Sequence, residues 1–426
     1  MSRILIHMLR EPGHLLPTLR LTRALRARGH HVLHLLTPDW LPFAERHRLT
    51  PHLHLHDIYP PGSEAAWPRM SEPQRHADAA ARVERRNRDY IAGALARTYR
   101  EIAPDLVLGD VYDVSSPIVA RALGIPHALL SPSLHQAREP GVPPLTSLIP
   151  LGDPALADAA WDDHLTSGRA PWAADAWYRP YVDAMLRAHR IPDGELTWTG
   201  AIAPVFPRLH HLVLCPAALE PPRTFPPRVH YDIPSIDLDP DPLPPALARE
   251  LGDRPLVLCV LGTQGLWRPD YRRLCDAVLA AAPARPDLTF VLAAGDALVD
   301  DYAARAPENL RVSAWVPQRA LLARAVALIS VGGLGTLKEA IWHRVPLLLA
   351  PTLGAPDAPG NAARVVHHRR GEVLHDLAPH ALLAALDRAL AGAHAPPRTA
   401  LHRAFVDAER GDAGVRRVDA LLAGAP

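Results

Sequence analysis

The chain has 426 residues, 48% of them hydrophobic, and a net charge of +1, which is enough apolar content for two cores and carries none of the basic excess that nucleic acid or an acidic membrane surface would require. Three cysteines, an odd count without paired short spacing, speak against a disulfide framework or a zinc site and suit a reducing compartment. No run approaches the ~20 apolar residues of a membrane span, and the apolar stretch 2–9, followed at once by Glu11, is too short for a secretory signal, so the expectation is a soluble, cytoplasmic protein.

Taken in order, residues 3–9 read as a first strand, 10–14 as the turn beyond its carboxyl end, and 15–28 as a helix stopped by Gly29. Residues 31–36 form the next strand. His14 falls where ligands gather in an open parallel sheet, although a lone histidine near a helix start serves equally as a polar cap. A proline-containing stretch, 59–73, leads to a long predicted helix over 74–100. Residues 106–110 are a short buried strand that ends in Asp110, followed by a helix over 116–123 and a strand over 127–130. An Asp at that place either caps the next helix or orients an imidazole. Residues 131–207, rich in proline and tryptophan, suit the wall of an apolar pocket, and 212–215 read as the last strand of a first domain.

The proline-dense stretch 216–254 reads as a linker. Its run Asp237-Leu238-Asp239-Pro240-Asp241 has the look of a metal motif, but the proline-flanked loop context opposes that. A second domain then opens with a buried strand over 256–261 and a turn, Gly262-Thr263-Gln264-Gly265. A helix over 271–282 and strands over 289–293 and 312–314 follow. Residues 325–331 are a buried strand and 332–335 a glycine-rich turn. A helix over 336–343 and a buried strand over 345–350 complete a right-handed parallel crossover. The turn offers backbone N–H groups and a positive helix end to an anion. Of the 46 basic residues only Lys338 is lysine, a usage that fits a GC-rich bacterial coding sequence. It stands on this helix and reads as a solvated residue, with a diphosphate contact as the alternative. Helices over 362–369, 379–390 and 399–423 end the chain.

Several spaced motifs carry a family resemblance. Trp315-Val316-Pro317-Gln318, Gly332-Gly333-Leu334-Gly335-Thr336, Glu339, Val345-Pro346 and Asp357-Ala358-Pro359-Gly360-Asn361-Ala362 stand in order. Together they resemble the nucleotide-sugar signature of the UDP-glycosyltransferase-like family of inverting GT-B enzymes, in particular its bacterial natural-product members. The resemblance implies an α/β protein with two Rossmann-like parallel-sheet domains facing each other across a cleft. It assigns the nucleobase to the indole of Trp315 beside Val316, the ribose hydroxyls to Glu339, and the diphosphate to Gly332, Gly333, Gly335 and Thr336. Gln318 belongs to the same signature, and Asp357 faces the sugar. Gly13-His14-Leu15-Leu16-Pro17 resembles the amino-terminal signature whose histidine is the catalytic base. The run 104–110 resembles the segment whose final Asp, here Asp110, pairs with it. Thr263 matches a turn that contacts a donor phosphate. Two departures stand out: Val331 replaces a phosphate-binding histidine, and Ala358, after two extra residues, replaces a sugar-facing glutamine.

The organisation expected on this basis is an acceptor-binding domain over 1–215, a linker over 216–254, a nucleotide-sugar domain over 255–398 and a C-terminal helix, 399–426, packing back on the first domain. The function expected is a metal-independent, inverting transfer of a sugar from UDP or TDP to a hydroxyl of a small apolar acceptor. The nucleotide sugar is a co-substrate, and neither a metal nor a resident cofactor is expected. Two alternatives stay open: a GT-B enzyme whose altered donor pocket runs another reaction, and a non-catalytic binding protein. Sugar, acceptor and oligomeric state have no signature.

Overall fold

The computed structural model describes residues 1–168, 170–174, 176–238, 242–394 and 400–424. Part of the acidic run (239–241) and the 398/399 boundary therefore lie outside the described residues. Two all-parallel sheets organise the chain. The first contains β1 (Arg3–His7), β2 (His31–Leu36), β3 (Pro51–Leu53), β4 (Leu106–Asp110), β5 (His127–Ser131), β6 (His211–Val213) and β7 (Val229–His230), in the order β3-β2-β1-β4-β5-β6-β7. The second contains β8 (Leu256–Val260), β9 (Thr289–Ala293), β10 (Leu310–Ser313), β11 (Ala325–Ser330), β12 (Leu347–Leu349) and β13 (Gly371–Val373), in the order β10-β9-β8-β11-β12-β13.

Both sheets are covered on both faces, which is why their strands are continuous apolar runs rather than alternating ones. On β1, Ile4 and Ile6 enter one core with Leu19, Leu21 and Leu25, while Leu5 enters the opposite core with Tyr99 and Ile118. On β8, Leu256, Leu258 and Val260 face one side and Val257 and Cys259 the other. In each sheet the strand order reverses between two neighbours, β1 and β4 in the first and β8 and β11 in the second. A crevice opens at the carboxyl ends of such pairs. His14 and Asp110 follow the first pair, and Thr263 and Gly332 the second.

Four expectations need correction. The helix expected over 74–100 is two, Glu72–Ile91 and Ala94–Ile102, because Gly93 adopts the left-handed conformation (φ +88°) and ends the first. The helix expected over 15–28 begins with a short turn, Pro12–Leu15, and a 3-10 turn, Leu16–Thr18, before Leu19–Ala27. Pro17 lies within the first positions of that 3-10 turn. The strand at 212–215 is not the last of its sheet: β7 joins beyond it, and the proline-rich stretch after it buries Tyr231, Ile233, Ser235 and Ile236. The tail is two helices, Ala400–Arg410 and Ala413–Leu422, with Gly411 and Asp412 between them. Among the described residues no helix is long and apolar enough to cross a membrane.

Candidate active site

The first wall of the site is built on β1 and β4. Asp110, wholly buried at the end of β4, accepts the backbone N–H of Leu9 on Oδ2 (3.1 Å) and that of Tyr112 on Oδ1 (2.9 Å), which pins both carboxylate oxygens. The turn Pro12–Leu15 then drops His14 onto it, with Nδ1 2.6 Å from Oδ2. A carboxylate accepting at Nδ1 fixes the proton there and leaves Nε2 facing the cleft. Burial opposes the charged imidazolium, but Asp110, its hydrogen bond and Glu11 outweigh that and raise His14 to about 9. Glu11 Oε2 lies 3.8 Å from Nε2. The Tyr112 ring meets the imidazole edge-on at 5.8 Å.

The opposite wall is built on β11 and its crossover helix. After Ser330 and Val331 the chain turns at Gly332, whose φ of +94° suits only glycine and whose back lies against Ala358. Gly333 is the N-cap of the helix Leu334–His343, two residues earlier than expected, and no side chain caps it. The first-turn N–H groups thus have no intrahelical acceptor, as at any helix start, and Gly335 among them is exposed. Trp315 stands 65% exposed at the rim. Gln318 donates to Glu339 Oε2 (2.7 Å) and to Thr336 Oγ1 (3.5 Å). Burial pushes the Glu339 carboxyl above its ordinary range, with the Gln318 bond working against it.

The two walls enclose one cavity of about 610 Å³. His14, Thr263, Trp315, Val316, Gln318, Val331, Gly333, Gly335, Thr336, Glu339 and Asp357 all line it, while Asp110 and Gly332 lie behind it. Lobe approach is close: a Cβ on Gly13 would come within 3.2 Å of Thr263 Oγ1. Asp357 Oδ2 accepts from Ser133 Oγ (2.7 Å) across the cleft and from Asn361 Nδ2 (3.1 Å).

Two expectations fail here. Ala358 does not face the sugar space. It is wholly buried, starts the helix Ala358–His367, and lies so close to Gly354 that a Cβ there would be 2.6 Å from its own. Lys338 is not solvated: it is buried at the cavity wall, and its ammonium donates to Leu214 O and to Ser235 Oγ (2.6 Å). Residues that sequence reasoning passed over include Glu11, which the E-P-G-H spacing puts one helical turn from the histidine. Tyr112 and Ser133 follow strand ends and carry no local signal. Gln264, whose side chain donates to Glu11, lay inside a motif read for its backbone alone.

Known proteins share this architecture. No family model matches the chain. The oleandomycin glycosyltransferase of Streptomyces antibioticus is 27% identical over 364 residues, covering 82% of this chain and 74% of that protein. The zeaxanthin glucosyltransferase of Pantoea ananas is 25% identical over 369 residues, covering 83% and 80%. The chain has the GT-B fold, and over most of its length it is similar to proteins named as glycosyltransferases. Among solved structures of that fold, the calicheamicin glycosyltransferase CalG4 superposes with a TM-score of 0.67 at 22% identity, covering 99% of this chain and 98% of that one. The spinosyn rhamnosyltransferase SpnG complexed with thymidine diphosphate does so with a TM-score of 0.62 at 20% identity, covering 98% and 99%.

Proposed function

We propose that the protein is an inverting, metal-independent glycosyltransferase that moves a sugar from TDP or UDP to a hydroxyl of a small, largely apolar natural product. The observation that carries this reading is the 2.6 Å His14–Asp110 hydrogen bond facing, across one cavity, the uncapped start of the helix Leu334–His343. The acceptor oxygen attacks the anomeric carbon as its proton passes to Nε2 of His14. The bond from that carbon to the phosphate oxygen breaks on the far face, which inverts the centre. The diphosphate leaves with its charge held by the first-turn N–H groups and by the hydroxyls of Thr336 and Thr263, a form of stabilisation that requires no cation from a metal. Trp315 offers a stacking face to the base, and Glu339, oriented by Gln318, accepts the ribose hydroxyls. Asp357, on the cavity wall, takes the sugar in this reading. The names of the relatives, and the thymidine diphosphate of the SpnG complex, support a TDP-sugar and a secondary-metabolite acceptor.

A second reading rests on Val331, which lines the cavity where the family pattern has histidine: an altered donor pocket, suited to an unusual deoxysugar. One pair of measurements tests the main reading. His14→Ala lowers transfer to a hydroxyl acceptor by about 10²- to 10⁴-fold and leaves the Kd for TDP or UDP unchanged. Undiminished turnover removes His14 from the chemistry, and absence of nucleotide binding at millimolar concentration removes the donor site altogether.

A further inference from the structure

A diphosphate brings at least two negative charges into the cavity, and the helix start answers with about half a positive charge. The family's histidine is missing, and Lys338, on the cavity wall, gives two of its three N–H donors to Leu214 and Ser235. His14 is committed to Asp110. One cation on the donor lobe is differently placed. Arg268 lies in the loop that follows β8, lines the same cavity as Thr263, Val331 and Gly333, and is half-buried. Among the described residues it has no carboxylate partner.

The loop that carries Arg268 is held firmly. Trp267, the preceding residue, meets Trp67 of the opposite lobe edge-on at 5.1 Å and His76 at 5.5 Å, with the Arg75 guanidinium 5.6 Å from its ring. Three residues earlier, Gln264 donates to Glu11. Behind Arg268 stands the phenol of Tyr271, which burial pushes up to about 12 while the charge of Arg268 opposes and that of Asp357 adds to the shift. Both charges therefore act on one ring, which also lines the cavity. A guanidinium without a carboxylate partner, on a loop held by its neighbours and at the wall of an anion's cavity, can give strong, forked phosphate contacts.

We propose that Arg268 takes over from the missing imidazole as the cation that grips the donor's diphosphate, opposite the first turn of the helix Leu334–His343. The inference rests on the donor reading above, so its test separates the two. Calorimetric titrations of the full chain compare TDP with thymidine, and UDP with uridine. Arg268→Ala weakens the diphosphates by about ten- to a hundred-fold, the range of one charge-assisted contact, and leaves the nucleosides unchanged. Adding Val331→His to that variant restores part of the loss, and Arg268→Lys, which keeps the charge without the fork, falls between. Thermal melting checks that each variant is folded; should Arg268→Ala fail to fold, Arg268→Gln carries the same expectation.

Three results overturn the inference alone: diphosphate binding unchanged in the variant, equal losses for nucleoside and diphosphate, or an equal loss from Arg46→Ala on the opposite wall, which would assign the effect to the general potential of the cleft. Failure of the unaltered protein to bind either diphosphate instead removes the donor reading on which the inference stands.

Discussion

Three carboxylates surround the imidazole of His14, and they decide the pH at which it can act. Asp110 holds Nδ1 at 2.6 Å, Glu11 stands 3.8 Å from Nε2, and Asp357 acts from across the cleft. Each favours imidazolium, so the base is charged until the pH approaches about 9. The imidazole must be neutral to take the acceptor's proton, so kcat/KM climbs with pH, reaches half its limit near 9 and levels off above it. Removing a carboxylate removes support for the charged form. Glu11→Gln therefore moves the rising limb to lower pH and raises activity at neutral pH; a limb that coincides with that of the unaltered protein disconnects Glu11 from the base. The same shift has a consequence for stability. Because His14 is raised above its ordinary 6.5 in the folded state, its contribution is complete below about pH 6.5 and is lost as the pH climbs through 9. Activity and this part of the stability thus change in opposite directions. His14 and Asp110 were legible in the sequence because each ends a short run that can be read alone. Glu11 was not, since its importance depends on where the turn Pro12–Leu15 puts it relative to Nε2. Arg268 was hidden for a related reason: nothing local distinguishes one unpaired arginine among many.

Among the elements, the glycine turn and the helix Ala358–His367 meet closely. Gly332 backs onto Ala358, Gly354 would collide with it if it carried a side chain, and Asn361 Nδ2 donates to Gly332 O at 3.1 Å. Ala358 is therefore a packing residue that lets helix and turn approach. Restoring the family's glutamine by Ala358→Gln overfills this space, costing about 1–3 kcal/mol, and does not tighten donor binding. Denaturant unfolding and nucleotide titration read the two effects separately. A variant as stable as its parent with a tighter donor would mean that the side chain does reach the sugar. The strands were legible because burial on both faces makes them unbroken apolar runs, from Leu106–Asp110 to Ala325–Ser330. The helices Pro154–Thr166 and Tyr178–Ala188 went unassigned because proline and tryptophan crowd the stretch around them. Lys338 was misread because a lysine on a helix is normally solvated, and only the assembled tertiary structure reveals the carbonyl of Leu214 above it.

At the scale of the molecule, the lobes are joined by buried polar clamps rather than by the connecting chain alone. The helix Ala400–Arg410 buries Phe405 with the core that contains Leu337, while its Glu409 accepts the N–H groups of Ser235 (2.8 Å) and Ile236 (2.9 Å). The helix Ala413–Leu422 continues onto the first lobe, where Val415 and Val418 join Leu21 and Ile233. A second clamp sits beside the donor lobe. Arg364, on the helix that begins at Ala358, meets Glu220 through Nη2 at 3.0 and 3.3 Å and Nε at 3.2 Å; Arg223 and Tyr231 complete the shell, and Arg364 and Glu220 are almost fully buried. Burial works against the Glu220 carboxylate, but Arg364 and Arg223 outweigh it and hold its pKa below the ordinary value. A depressed carboxylate stabilises the fold above its ordinary pKa and loses that contribution as the pH falls, so this clamp is a point of acid sensitivity. Arg364→Met leaves the buried charge with Arg223 alone and destabilises the protein by about 3–5 kcal/mol. Replacing both partners, Arg364→Met with Glu220→Leu, removes the orphaned charge and recovers part of the loss. Chemical unfolding of the two single variants and the double variant gives the coupling directly. Additive losses would show that the pair is not a unit.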